Sequence, residues 1–188
     1  RSELYAPGIW PSYYKKAKGC EVTDLNNKKY LDFTMVGTGT SVLGYSNDKV
    51  NSAVKKALET GTISTLNNVE EVDLAEILLD LHPGMGMVRY ARSGGEILSI
   101  AIRVARAHTG REKVAICGYH GWHDWYMSAN LNNQNNLNNH LLPNIGSAGV
   151  PKSMRGLSVP FEFNNIKSLE NVLKKDPSGF AAVILEPF

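Results

Sequence analysis

Little in this sequence is extreme, and each shortage removes a class of protein. Cysteine is scarce: Cys20 and Cys117 lie far apart and fit neither a CxxC nor a Cys/His metal-site spacing. Two reduced, mostly buried thiols in a cytoplasmic protein are expected, not a disulfide framework. No run of about 18 apolar residues occurs, so no membrane span is expected. Neither sign of charge dominates: 20 Lys plus Arg stand against 18 Asp plus Glu, a net charge of +2. So even a balance gives neither nucleic acid nor an acidic membrane surface a handle. The sequence begins with Arg1 without a signal-peptide apolar core behind it, and stops at Phe188 straight after an apolar run. Both ends are therefore expected to be cuts from a longer parent.

What is there reads as a soluble α/β protein, with 43% hydrophobic and 20% charged residues in 188. Residues 1–19 mix Pro7, Gly8, Pro11 and Gly19 with aromatics and read as an irregular arm. Short strand-like runs follow at 20–24 and 28–33, with Asn26-Asn27 between them as a hairpin turn. Residues 34–47 are rich in Gly, Thr and Ser and read as loop. Val50, Ala53, Val54, Ala57 and Leu58 mark one face of a helix over 48–58. A second helix is predicted over 70–81, with Val72, Ala75, Leu78 and Leu81 inward. Asn68 and Glu71 stand at capping-box spacing before it, and His82-Pro83 ends it. The first sixty residues form an N-terminal segment in this reading, and 61–188 an incomplete large domain.

From residue 87 the rhythm becomes strand, loop, helix, strand: a short strand at 87–91, a loop at Ser93-Gly94-Gly95, an amphipathic helix over 96–109 closed by Gly110, and a strand at 113–117. That alternation marks a mainly parallel sheet. Residues 129–150 carry eight asparagines between Asn130 and Asn144 and little periodicity. They read as a long polar loop or insert, functional or mobile. A helix over 165–175 and a continuous apolar run at 180–185 complete the pattern. The run has the look of a buried parallel strand, with Glu186 at the carboxyl end where open α/β sheets bind ligands.

Three places carry chemistry. Ser93-Gly94-Gly95-Glu96 sets two glycines and a hydroxyl at a helix N-terminus, where free N–H groups and the helix dipole favour an anion. A plain tight turn with Ser93 near the cap competes with that reading, and taken alone the motif is weak. The motif is neither a Walker A loop nor G-x-G-x-x-G. Tyr119-His120-Gly121-Trp122-His123-Asp124 follows a strand and offers an aromatic ring for a flat heterocycle. A packed loop without ligand competes with that reading. A metal site at His120, His123 and Asp124 has poor spacing and no further ligand cluster. Glu186 is either a structural ion-pair partner or a site group.

Taken together and in order, these segments resemble the class III aminotransferases. Ser93-Gly94-Gly95-Glu96 is similar to the family's Ser-Gly-Thr-Glu, and Ala101-Ile102-Arg103-Val104-Ala105-Arg106 to its Ala-Ile-Arg/Lys-Leu-Ala-Arg. Thr109-Gly110-Arg111, Tyr119-His120-Gly121, Gly146-Ser147-Ala148-Gly149-Val150-Pro151 and Glu186-Pro187 follow in the same order, and the run from Gly19 to Phe33 resembles the family's Gly-x-x-hydrophobic-x-Asp-x-x-Gly-x-x-Tyr-hydrophobic-Asp-Phe pattern. The likeness spans nearly the whole chain and leans to the branch containing glutamate-1-semialdehyde aminomutase. It implies a pyridoxal 5'-phosphate (PLP) enzyme of fold type I, a homodimer acting on a small-molecule amino donor and a carbonyl acceptor. It implies that Ser93, Gly94 and Gly95 hold the cofactor phosphate, that Tyr119 stacks on its ring with His120 beside it, and that Glu186 lies near cofactor and substrate. Residues 129–150 would lie over the site's entrance.

The departures are Gly95 for the usual threonine, Ile97 for alanine, Asn47-Asp48 for a common His-Pro, and the asparagine-rich stretch. The family's Schiff-base lysine and the aspartate on its pyridine nitrogen belong to later segments, so no catalytic residue is assigned here. Two other readings stand beside this one: a non-catalytic fragment or cofactor-binding module, and, against the glycine spacing, a Rossmann-type nucleotide enzyme.

Overall fold

The computed structural model describes residues 9–34, 37, 39–139 and 146–187. It divides into two compact units, Arg1–Ile77 and Leu78–Phe188. No helix among the described residues is long and apolar enough to cross a membrane.

The first unit is built on an antiparallel meander of β1 (Tyr14–Lys18), β2 (Glu21–Asp24) and β3 (Lys29–Leu31). The expected hairpin is present. Asp24, buried at its base, accepts the N–H groups of Asn26 and Lys28 at 2.8 and 2.9 Å, and Tyr30 donates its hydroxyl to the other carboxylate oxygen at 3.1 Å. Asn27 takes the left-handed conformation such a turn needs (φ 65°). The expected irregular arm is corrected over 14–18. That run is a strand, because the turn after it folds it back onto β2 with Lys18 opposite Glu21. Residues 1–8 of the arm lie outside the described residues. Helix α1 (Asp48–Thr60) starts where its pattern predicts, and Asn47 explains one departure noted above: its side chain accepts the N–H groups of Lys49 and Val50 as an N-cap. Helix α2 (Val69–Leu81) also forms where expected. Its inward face does not: no residue of α1 or α2 is buried, and Val72 and Leu81 are well exposed. Periodicity selects the helix but cannot supply the surface that covers its stripe.

In the second unit, α3 (Gly94–Thr109) leads into β4 (Lys113–Cys117), which lies between β5 (Ser158–Pro160) and β6 (Phe180–Leu185) in a wholly parallel sheet. Period-two alternation along β4 builds a core on each face. Val114 and Ile116 pack with Ile102 of α3 and with Trp125, Tyr126, Met127, Ala129 and Leu137. Ala115 and Cys117 pack with Phe161 and Phe180 against Leu169, Val172 and Leu173 of α4 (Ile166–Lys174). At roughly 1.5–3 kcal/mol for each large side chain buried, these clusters are the main source of the unit's stability.

Four sequence expectations change here. Residues 87–91 are not a strand, since no described strand runs beside them to pair with. Helix α3 begins two residues earlier than predicted because Ser93 caps it. Strand β6 is parallel but sits at the edge of the described sheet, leaving Val183 and Leu185 40% and 51% exposed, so it is not a fully buried strand. The asparagine-rich stretch, up to residue 139, is partly core and not merely a polar loop. Ala129, Asn130 and Leu137 are buried, Asn130 accepts the Leu137 N–H at 3.0 Å, and Asn136 donates to the Ala129 carbonyl at 2.8 Å. Residues 140–145 of that stretch lie outside the described residues.

The cysteines are both free, but only Cys117 is buried; Cys20 is exposed, since it sits in the short turn region of a small meander. Burial, and secondarily the Glu186 carboxylate, push the Cys117 thiol above its ordinary value. Iodoacetamide at neutral pH is therefore expected to modify Cys20 at least about tenfold faster than Cys117. Equal rates in peptide mass mapping would show that the sheet opens readily at β4.

Candidate active site

The site is assembled from three stretches at the carboxyl edge of the parallel sheet. The first is the start of α3. Ser93 is extended (φ −142°, ψ 158°), and its hydroxyl oxygen accepts the Glu96 N–H at 3.3 Å while its carbonyl accepts the Ile97 N–H at 3.1 Å. The Glu96 carboxylate turns back to accept the Arg92 N–H at 2.9 Å. Those bonds leave the N–H groups of Gly94 and Gly95 without an acceptor among the described residues. A β-carbon on Gly94 would meet nothing within 4 Å, so an outside group can approach that donor, while the ring of His123 borders Gly95.

The second stretch is the turn after β4. Gly121, at φ 103°, lies so close to α3 that a β-carbon there would stand 3.2 Å from the Gly95 Cα. Backbone thus packs on backbone, and the turn is held beside the two free N–H groups. Inside the turn His120 is buried. Its Nε2 donates to the Cys117 carbonyl at 2.8 Å, which fixes the proton on that nitrogen, and its ring stacks on Trp125. Tyr126 donates its hydroxyl to the Gly118 carbonyl at 2.9 Å and meets the Tyr119 ring edge-on at 5.9 Å. Burial first, then neighbouring Tyr119 and Glu186, push the Tyr126 hydroxyl far above the ordinary tyrosine range. It stays a neutral donor at any working pH and clamps the turn.

The third stretch is the end of β6. Glu186 donates its N–H to the Cys117 carbonyl at 3.1 Å and accepts the Tyr119 N–H on its carboxylate at 3.2 Å. Residues 93–96, 117–123 and 186, far apart in sequence, therefore meet. A cleft of about 620 Å³ opens at Cys117, Gly118 and Glu186, lined also by Phe161, Glu162, Phe163 and Asn136; the start of α3 does not line it. The arrangement offers two aimed N–H donors and a hydroxyl for an anion, a tyrosine ring at the mouth of the sheet, and one carboxylate within reach of that ring's backbone.

Of the residues singled out from sequence, Ser93, Gly94 and Gly95 lie together at the helix start, and Tyr119 and Glu186 are joined directly. His120 points instead into the core. Sequence reasoning overlooked the backward bond of Glu96 and the clamp from Tyr126. It weighed His123 only as a metal ligand, whereas the ring of His123 lies against Gly95. The signal for that contact was the missing side chain at position 95.

Comparison with known proteins decides the lineage. The family described as aminotransferase class-III matches residues 5–188. The chain belongs to the class III aminotransferases. It is 32% identical over 183 residues to the glutamate-1-semialdehyde 2,1-aminomutase of Persephonella marina, an alignment covering 96% of this chain and 41% of that relative. The class III aminotransferase chain superposes over its whole length on 43% of an omega-transaminase from Sphaerobacter thermophilus, with a TM-score of 0.82 and 26% identity. A transaminase solved with PLP bound matches equally, at TM-score 0.82 and 27% identity over 100% of this chain and 43% of that one. The fold is therefore that of PLP-dependent transaminases, and the chain spans about two fifths of the length of the relatives it matches.

Proposed function

We propose that the full-length protein is a PLP-dependent aminotransferase or glutamate-1-semialdehyde-aminomutase-like enzyme, a cytoplasmic homodimer that moves an amino group between a small-molecule donor and a carbonyl acceptor. The observation that carries this reading is the pair of unclaimed N–H groups at Gly94 and Gly95, beside the Ser93 hydroxyl and the Tyr119 turn. The donor set fits a phosphate dianion: two backbone N–H groups, one Ser93 hydroxyl hydrogen with no acceptor among the described residues, its oxygen accepting only from the Glu96 N–H, and the positive end of a sixteen-residue helix. The cofactor, once bound, supplies the electron sink for chemistry at the substrate's amine-bearing carbon.

This chain's own residues then have defined tasks. Ser93, Gly94 and Gly95 hold the phosphate. Tyr119 covers one face of the heterocycle, its backbone fixed by Glu186 and its ring braced by Tyr126. His120 acts on the turn from behind, as the core contact that keeps Tyr119 in place. Glu186 holds negative charge beside cofactor and substrate.

Titration of the full-length protein with PLP, followed by exposure to an amino donor, tests the reading. Saturable binding with amine transfer supports it. Binding without transfer would leave a cofactor-binding module, and no binding would refute the assignment. Ser93→Ala is expected to weaken PLP binding by about tenfold or more, the effect of removing one hydrogen bond to a charged group, and to lower stability by about 1 kcal/mol through the lost cap.

A further inference from the structure

The resemblance implies a threonine where this chain has Gly95, and so one side-chain donor fewer in the proposed phosphate cradle. The volume is not left empty. A β-carbon at Gly95 would collide with the ring of His123, with Cε1 at 2.5 Å and Nδ1 beside it. The imidazole therefore takes the space that a threonine at 95 would need, next to the free N–H groups of Gly94 and Gly95. Its backbone is well anchored: the His123 carbonyl accepts the N–H groups of Tyr126 and Met127 at 3.0 and 3.1 Å. Its ring is uncommitted: His123 precedes the short helix Asp124–Met127 without a side-chain capping bond, and neither ring nitrogen has a hydrogen-bond partner among the described residues. The ring also faces solvent, so an incoming anion can reach it.

We infer that His123 is a phosphate-binding residue that replaces the missing hydroxyl at position 95, so that Gly95 and His123 form one functional pair. The inference rests on the PLP reading above. An imidazole always carries at least one N–H, so it serves as a donor whether neutral or protonated, and an anionic oxygen is the acceptor such a donor favours. Glycine at 95 is then a requirement of the pair and not merely a loss. The ring can lie on the helix start only if no side chain stands there, and Gly121, where a β-carbon would stand 3.2 Å from the Gly95 Cα, lets its loop come that close.

The test measures binding of PLP and of pyridoxal, which lacks the phosphate, to the full-length protein and its variants. His123→Ala is expected to weaken PLP by about tenfold, a charged hydrogen bond's effect, and to leave pyridoxal within about twofold. Gly95→Thr alone is expected to weaken PLP, because the new side chain collides with the ring. The double variant Gly95→Thr/His123→Ala supplies a hydroxyl at position 95 in place of the imidazole and is expected to recover PLP affinity to within about threefold of wild type. That recovery also guards against a His123→Ala variant that merely folds poorly. Equal losses for PLP and pyridoxal, or no loss on removing His123, would overturn the pair while leaving the cofactor reading intact. Failure of the wild-type protein to bind PLP at all would overturn that reading, and this one with it.

Discussion

Replacing Leu137 by alanine is expected to destabilise the protein by about 2–5 kcal/mol, the loss seen when a large aliphatic side chain is cut from a packed core. The size of that effect is unexpected for its surroundings. Leu137 lies among eight asparagines, in a stretch whose composition suggests solvent, yet it is fully buried. It packs with Ile102, Val114 and Ile116, the side chains that join α3 to the centre of the sheet. Its N–H is taken by the buried Asn130, so a polar group that the core would otherwise leave unpaired is satisfied. Removing the side chain leaves a cavity that a sheet face and a hydrogen-bonded loop cannot easily close. Gln134→Ala, three residues earlier and exposed, is the matched control and should stay within about 0.5 kcal/mol of wild type. Urea unfolding of both variants decides the matter: equal small effects would mean that the stretch is a detachable surface loop after all.

That residue shows where reading a sequence succeeds and where it stops. Local rules found most elements. The spacing of Val50, Val54 and Leu58 gave α1, the Asn26-Asn27 pair marked the turn between β2 and β3, and Gly110 marked the end of α3, whose last turn it closes by donating its N–H to the Arg106 carbonyl at 2.9 Å. Each of these is a contest between nearby conformations that the local residues decide. Strand β1 escaped notice because Lys15, Lys16 and Lys18 dilute its apolar signal, and its pairing with β2 is a tertiary fact. Residues 87–91 failed in the opposite direction: their pattern suits a strand, but a ladder needs a neighbour. The buried part of the asparagine-rich stretch was invisible for a related reason. One leucine among amides has no period, and only the facing sheet reveals that it is core.

The site divides in the same way. Ser93-Gly94-Gly95-Glu96 was legible because a cap, two glycines and a helix pattern are all local. The meeting of Tyr119 with Glu186 was legible only through family likeness, since 67 residues separate them. The inward turn of His120 was not legible at all. A histidine between two glycines after a strand can face a ligand or the core, and only the position of Trp125 and of the Cys117 carbonyl settles which.

Gly118→Ala is the second large effect, and it joins stability to the site. Gly118 lies at φ 93°, where an L side chain is strained by about 1–3 kcal/mol. A β-carbon there would also stand 2.6 Å from one carboxylate oxygen of Glu186, 2.9 Å from its Cγ and 3.0 Å from its Cβ. The carboxylate oxygen can swing away, but the Cβ is tied to strand β6, so the chain itself must yield. In yielding it loses the bond from the Tyr119 N–H to Glu186 and loosens the turn that Tyr126 clamps through the Gly118 carbonyl. A total cost of about 2–4 kcal/mol is expected, backbone strain and steric displacement together. The two parts separate in a double-mutant cycle with Glu186→Ala. That change removes the colliding Cγ and carboxylate but not the positive φ. The double variant should therefore recover about 1 kcal/mol or more relative to the sum of the single changes, and keep the remainder of the loss. Additivity within about 0.3 kcal/mol would mean that Glu186 does not pack on Gly118, and the joint between β4 and β6 that fixes Tyr119 would have to be redrawn.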